Sequence, residues 1–275
     1  MADLNLPAIR FFQSASSTND ESFKWIDYGA PDRALVIADE QTVGRGRCQR
    51  RWITTSGSGL AFSLILLSPP FDPQLISRLS GLGAVAVRDA LQRKYFLTAQ
   101  IKWPNDILLD QLKAGGVLVE ARWSGETLKA VIIGIGINIA PDSVSAVNLP
   151  PAGLNFPATC VEDALGRPVD RLELLHAILQ ELLSWLPRLS LPDFILEWET
   201  CLAFRNQWVE LSSGYTPPHS QNRQVPLPTE AGKVIGLTQD GSLKLITRTG
   251  ELVTVTVGDI HLRPAAIDQP FPPMD

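Results

Sequence analysis

The chain has 275 residues, 45% of them hydrophobic and 19% charged, with a formal net charge of -5. That balance describes one large or two modest globular domains, and it excludes both a disordered chain and a broadly basic nucleic-acid binder. No apolar run approaches the roughly 20 residues of a membrane span, and no basic-then-apolar export signal opens the sequence. Three scattered cysteines (Cys48, Cys160, Cys201), with no C-x-x-C pair, fit a reducing cytoplasm and no thiolate metal site.

A short strand is expected over 9–13, followed by Ser17-Thr18-Asn19 as a capping cluster and a helix over 20–28 that Gly29 and Pro31 close. Residues 34–40 form an apolar strand leading into 41–52, Gln-Thr-Val-Gly-Arg-Gly-Arg-Cys-Gln-Arg-Arg-Trp. This segment sets four arginines, and no acid, in a glycine-punctuated loop. In an acidic chain such an island suits one local anion. Gly44 and Gly46 let the backbone curl, so that amide N–H and guanidinium groups can converge on phosphate or carboxylate oxygens. The plain alternative is a solvated surface loop. The third glycine of a dinucleotide fingerprint is missing, and no G-x-x-x-x-G-K-[ST] run occurs, so Rossmann and P-loop readings fail.

Residues 60–67 form a second apolar strand, stopped by Pro69-Pro70. Leu75, Leu79, Leu82, Ala86 and Ala90 then recur at helical spacing after Pro73. Next comes a hairpin-like block: 100–103 and 107–109 flank Pro104-Asn105-Asp106, and 117–122 and 128–139 flank Ser124-Gly125-Glu126. Lys102-Trp103-Pro104-Asn105-Asp106 packs ammonium, amide and carboxylate around a proline corner. Asn105 or Asp106 there could meet a ligand or Mg²⁺, or could satisfy their own turn. Lys113 precedes Gly115-Gly116, where an ammonium can approach a ligand oxygen closely. In Gly134-Ile135-Gly136-Ile137-Asn138, interior glycines cost stability unless something lies against the backbone: the long helix, or an adenine or ribose.

Residues 140–158 are loop-like, and helices are expected over 172–186, after Asp170, and over 193–202. Beyond 204, short strands over 208–211, 233–238, 243–247, 252–257 and 260–262 describe a small all-β module of barrel type. A polar, proline-rich insertion lies around 212–231. The histidines (His176, His219, His261) sit near no other candidate ligand, so no protein-held transition metal is expected.

In this order, G-R-G-R-x-x-R-x-W, K-W-P-N-D, K-x-G-G-[IV]-L and G-x-G-x-N resemble the biotin–protein ligases (biotin–[acetyl-CoA-carboxylase] ligases). Ser17-Thr18-Asn19 and the terminal β module match as well, so the likeness covers essentially the whole chain. It implies an α+β fold: a mixed sheet with helices packed on one side, of the class II synthetase or lipoate-ligase type, over 1–203, and an SH3-like β-barrel over 204–275. It implies activation of biotin by ATP and Mg²⁺ to biotinyl-5′-AMP, then transfer to a lysine of the biotin carboxyl carrier protein of acetyl-CoA carboxylase. Lys113, Arg47 and Asp106 would be catalytic, with Asp106 near Mg²⁺. Ser17, Thr18, Asn19, Gln41, Arg45, Gly46, Arg47 and Lys113 would line the biotin pocket. Arg45, Arg47, Trp52, Lys102, Asn105, Asp106 and Asn138 would serve ATP, with Trp52 covering the adenine.

Cys48-Gln49 stands where the family often has Arg-Gly, making the loop stiffer and one charge lighter. Only eight residues precede the first expected strand, so a short form is expected, without the DNA-binding helix-turn-helix domain of some relatives. Relatives occur as dimers and monomers, and edge strands could pair into a homodimer. Rival readings are a lipoate or octanoate transferase of the same fold, a non-catalytic biotin sensor, and a nucleic-acid module.

Overall fold

An eight-stranded mixed sheet organises the first of two compact units, Met1–Ala203 and Phe204–Asp275. The computed structural model describes residues 2–47, 50–69, 71–145, 157–213, 230–256 and 260–264. The strands are β1 (Ile9–Ala15), β2 (Leu35–Arg45), β3 (Arg51–Thr54), β4 (Gly59–Leu67), β5 (Ala99–Lys102), β6 (Asp106–Leu109), β7 (Leu112–Ser124) and β8 (Thr127–Asn138). Their order is β1-β2-β4-β8-β7-β6-β5, with β3 paired to β2. The β1–β2 ladder is parallel and the other ladders are antiparallel.

The helices are α1 (Thr18–Asp27), α2 (Ile76–Tyr95), α3 (Asp142–Ser145), α4 (Val161–Leu165), α5 (Arg171–Trp185) and α6 (Pro192–Thr200). β4 is buried along nearly its whole length and β8 from Ala130 onward, because both sheet faces are covered there. On one face lies the expected helical layer. There α2 packs on the sheet, with Gly83 against Val117 and Ile133, and α5 and α6 pack on α2. Leu35, Phe62, Leu64, Leu79, Leu82, Leu91, Ile101 and Ile107 are essentially inaccessible to solvent. Each such side chain contributes about 1.5–3 kcal/mol of burial. On the other face lies α1, its Trp25 packed with Ala34, Val36 and Ile65. The polar residues gather on this face, beside α1.

The second unit is an antiparallel sheet of β9 (Trp208–Ser213), β10 (Glu230–Leu237), β11 (Leu243–Thr247), β12 (Leu252–Val255) and β13 (Ile260–Pro264), in the order β12-β11-β10-β9-β13. Val209, Val234, Leu243 and Leu245 form its buried side.

Several elements differ from the expectation. α1 starts at Thr18, and Ser17 holds the N-cap position without a side-chain cap bond, while Thr18 and Asn19 bond to Gln41 and Ser63 of the sheet rather than capping the helix. β2 continues through Gly44 to Arg45 and pairs with β3, so the loop proper is shorter than 41–52. A Cβ at Gly44 would overlap the Trp52 carbonyl, so that glycine serves a close strand approach. β7 begins early enough to include Lys113. The expected 140–158 loop contains α3, which at four residues is too short to show a period, as is α4 at five. Cys48, Gln49, His219 and most of the expected 140–158 loop and 212–231 insertion lie outside the described residues. Among the described residues, no helix is long and apolar enough to cross a membrane.

Candidate active site

Ladder register lines up one row across the sheet: Lys102 opposite Asp106, then Gly116, Gly136, Ala61 and Ala38. Paired residues on adjacent strands share a face. A charged end therefore gives way to a floor almost bare of side chains. The neighbouring row runs Leu118, Gly134, Ser63, Val36. Asn19 lies over Gly134 and Trp52 over Gly136. A Cβ on Gly134 would overlap the Asn19 amide, and one on Gly136 would come within 2.5 Å of Trp52 Nε1. The expected helix packing does not explain these glycines, since α2 lies on the opposite face. The protein's own amide and indole occupy the space above them.

At the charged end, Lys113 Nζ lies 2.5 Å from Asp106 Oδ1 and Lys102 Nζ 4.0 Å from Asp106 Oδ2. One carboxylate faces two ammonium groups, so this end carries net positive charge. Lys102 is only 8% exposed, and desolvation strengthens its field. Gly116 keeps the space beside the pair open, since a Cβ there would stand 3.5 Å from Asp106 Oδ1 and 3.7 Å from Lys113 Nζ. The ammonium of Lys113 also lies 5.8 Å from the Trp52 ring centroid.

The backbone around Lys113 is held on both sides. Its N–H donates to Pro157 O (2.8 Å), and its carbonyl accepts from Thr159 N (3.0 Å). Asn138 Nδ2 donates to Thr159 O at 3.1 Å, so this buried amide secures the strap that brackets Lys113. Asn105 does not simply close its own turn. Its Nδ2 donates to Val117 O (2.7 Å) and its Oδ1 stands 3.5 Å from Arg47 Nη1.

The opposite end is polar and internally satisfied. Gln41 Oε1 accepts from Thr18 N (2.8 Å) and Thr18 Oγ1 (3.2 Å), and Gln41 Nε2 donates to Thr54 Oγ1 (3.4 Å). Ser63 Oγ is 2.7 Å from Thr18 Oγ1 and 2.6 Å from Asn19 Oδ1. Asn19 Nδ2 donates to Glu120 Oε2 at 2.7 Å, which fixes the direction of the amide. Ser17, Thr18, Asn19, Gln41 and Ser63 are all buried, so the network orients rigid donors and acceptors.

Arg45, at the end of β2, and Arg47, in the loop, face different ends. Arg45 donates to Asp20 Oδ2 (2.7 Å) and Glu120 Oε2 (3.1 Å). The Asp20 hydrogen bond, with the charge of Glu120 behind it, pushes the guanidinium above its ordinary range, so it stays charged. Arg47 faces Asn105 instead. Gly46 N–H closes the loop onto Arg50 O at 2.7 Å.

The structure thus brings Ser17, Thr18, Asn19, Gln41 and Arg45 to one end, and Lys102, Asn105, Asp106, Lys113 and Arg47 to the other, with Trp52 between. Asp20, Thr54, Ser63, Glu120 and Thr159 join them without having been singled out in the sequence. Ser63 had a signal, as the one polar residue in the run 60–67, and a buried hydroxyl needs a partner. Among the described residues, no three His, Cys, Asp or Glu side chains converge as a metal-binding group.

Residues 11–138 match the Biotin/lipoate A/B protein ligase family. The biotin--[acetyl-CoA-carboxylase] ligase of Paracoccus denitrificans is 34% identical over 195 residues, covering 70% of this chain and 76% of that protein. The bifunctional ligase/repressor BirA of Bacillus subtilis (strain 168) is 38% identical over 164 residues, covering 60% of this chain and 49% of that protein. The chain spans about half the length of the Bacillus relatives it matches. A biotin protein ligase from Aquifex aeolicus, solved in complex with biotin and ATP, is similar in fold with a TM-score of 0.72 at 25% identity, over 94% of this chain and 99% of that one.

Proposed function

Because the chain belongs to the Biotin/lipoate A/B protein ligase family, we propose that it is an ATP-dependent biotin–protein ligase acting on the carboxyl carrier protein of acetyl-CoA carboxylase. One observation carries this reading: the Lys102, Asp106 and Lys113 cluster beside the open space at Gly116, with the Trp52 indole lying over Gly136 as an apolar wall and a satisfied polar network around Asn19 and Ser63 next to it. A small molecule with a polar head, an apolar body and an acid tail matches that sequence of surfaces. The ureido head of biotin belongs with Ser17, Thr18, Asn19 and Gln41. Its carboxylate belongs at Lys113.

A carboxylate is a poor acyl donor and must be activated. Its oxygen attacks the α-phosphorus of ATP, the α–β phosphoanhydride bond breaks, and pyrophosphate leaves with the bonding pair. The product is biotinyl-5′-AMP. Lys113, supported by Lys102 and Arg47, offsets the negative charge that gathers where the two anions meet. Trp52 walls the point where the biotin chain meets the nucleotide, and Asn138 holds the strap beside Lys113. Asp106 aims the Lys113 ammonium. Its oxygens face two ammonium groups, so the set does not fit a resident Mg²⁺ site, and the metal is assigned to the nucleotide's own phosphates as MgATP. In the second step a neutral lysine amine of the carrier attacks the acyl carbon, the bond from that carbon to the phosphate oxygen breaks, AMP leaves with the bonding pair, and the amine's surplus proton passes to water. Arg45, anchored on Asp20 and Glu120, sets the root of the loop, while Gly46 and Arg47 close over the adenylate and exclude water.

The test is to incubate the protein with biotin, MgATP and an apo carrier domain and to weigh the carrier. The expected result is a gain of one biotinyl group that depends on ATP. An unchanged carrier mass, or a gain with lipoate in preference to biotin, would overturn the assignment.

A further inference from the structure

We infer that Asp39 and Arg171, outside the proposed site, are positioning residues for its nucleotide end; this rests on the ligase reading above. Asp39 follows Ala38, the last residue of the bare row, and its carboxylate meets the first residue of α5. Asp39 Oδ1 accepts from Arg171 Nη1 (2.6 Å) and from Gly57 N (3.2 Å), and Oδ2 accepts from Ser56 Oγ (2.5 Å). Arg171 Nη1 also donates to Gly59 O at 3.2 Å. Four pieces of chain meet on one ion pair: β2, the turn over 55–58, the start of β4 and the start of α5.

That turn carries the site. It joins β3, which bears Trp52, to β4, which supplies Ala61 and Ser63. Ser58 O accepts from both Ile139 N (3.1 Å) and Ala140 N (2.8 Å), the two amides that follow Asn138. Gly59 and Asn138 are themselves ladder partners. Fixing 56–59 therefore fixes the exit of β8, the Asn138 amide and, through Thr159, the strap beside Lys113.

Two further observations favour a specific role over incidental surface pairing. Asp39 has a side chain only 13% exposed, and the Ser56 hydroxyl, then Arg171, hold its carboxyl below the usual carboxylate range against the opposing effect of burial. Arg171 places a cation in the first turn of α5, where the helix dipole disfavours it. Asp39 offsets that cost. The hydrogen bonds of Asp39 and Arg171 go to Ser56, Gly57, Gly59 and each other, so any effect on chemistry passes through the turn.

The experiment compares the full-length protein with Asp39→Ala and Arg171→Met, with Asp39→Asn and Arg171→Lys as milder variants should the first pair fail to fold. Hydrogen–deuterium exchange should show faster exchange at the amides of residues 139 and 140, with the centre of β8 unchanged. Biotin-dependent ATP–pyrophosphate exchange should show KM for ATP raised about tenfold, with KM for biotin moved less than about twofold, well below each variant's Tm. Unchanged amide exchange, or an equal rise in both KM values that tracks a lower Tm, would overturn the positioning role. Absence of biotin-dependent exchange in the unmodified protein would instead overturn the ligase reading, and the amide exchange would still decide whether the Asp39–Arg171 pair fixes the turn.

Discussion

The ammonium of Lys113 lies 2.5 Å from the carboxylate of Asp106, on the adjacent strand, with Lys102 at 4.0 Å on the other side of the same carboxylate. The pair presets a cation at the end of the bare row before any anion arrives. Lys113→Ala removes a charge-assisted contact worth roughly 1.5–3 kcal/mol, so adenylate formation should fall roughly 10- to 150-fold. Biotin-dependent ATP–pyrophosphate exchange measures this directly. A rate equal to the unmodified protein's would show that Lys113 takes no part.

Arg47 reaches across to Asn105, at 3.5 Å, from the loop that Gly46 and Arg50 close. Losing its side chain should loosen loop closure more than it harms the first half-reaction. Arg47→Gly is expected to release biotinyl-AMP and to label lysines of a bystander protein such as albumin. If the adenylate stays bound and bystanders stay unlabelled, the loop is not the barrier to water.

Gly136 and Gly116 are ladder partners that differ in what a methyl group would meet. At Gly136 it would press on the Trp52 indole at 2.5 Å; at Gly116 its nearest neighbours stand at 3.5 Å and beyond. Gly136→Ala should therefore cost about 1–3 kcal/mol by overpacking and lower the Tm. Gly116→Ala should leave the Tm nearly unchanged but weaken ATP binding by filling the open space beside Lys113. Thermal denaturation with calorimetric ATP titration separates the two, and equal Tm losses would contradict the geometry.

Burial pushes the Cys201 thiol up to about 11, against the opposing pull of Arg88. At pH 8 about one such thiol in a thousand is ionised, compared with about a quarter of free cysteines, so alkylation should run at least about 200-fold slower than for a cysteine peptide. The unfolded chain ionises first. The thiol's contribution to stability is therefore complete below the ordinary cysteine value and is lost as pH climbs toward about 11. Peptide mapping after iodoacetamide treatment tests this, and rapid labelling of Cys201 in the folded protein would refute it.

Local chemistry made much of the fold legible. The 3.6-residue recurrence from Leu79 to Ala90 became α2, Asp170 caps α5 through Leu172 N and Glu173 N, and Gly125-Glu126 turns β7 into β8. Lys102, Asn105, Asp106 and Lys113 could be singled out because charge beside glycine and proline in an apolar context is unusual within a few residues of chain. Arg45 was legible as a cation, but not its partners. Asp20 lies 25 residues away and Glu120 lies 75, and neither separation leaves a trace in a local pattern.

By itself, then, the sequence determined the long helices, the main strands and their turns, and which side chains bring charge, since propensity and periodicity act over a few residues, but not short pieces such as α3 and α4. The tertiary structure alone decided that β8 lies between β4 and β7, and hence that Ser63, Gly134 and Asn19 meet, that Trp52 covers Gly136, and that Asp39 finds Arg171 across 132 residues. Those meetings depend on strand order and register, which are set by burying both faces of the central strands at once rather than by any one stretch of chain.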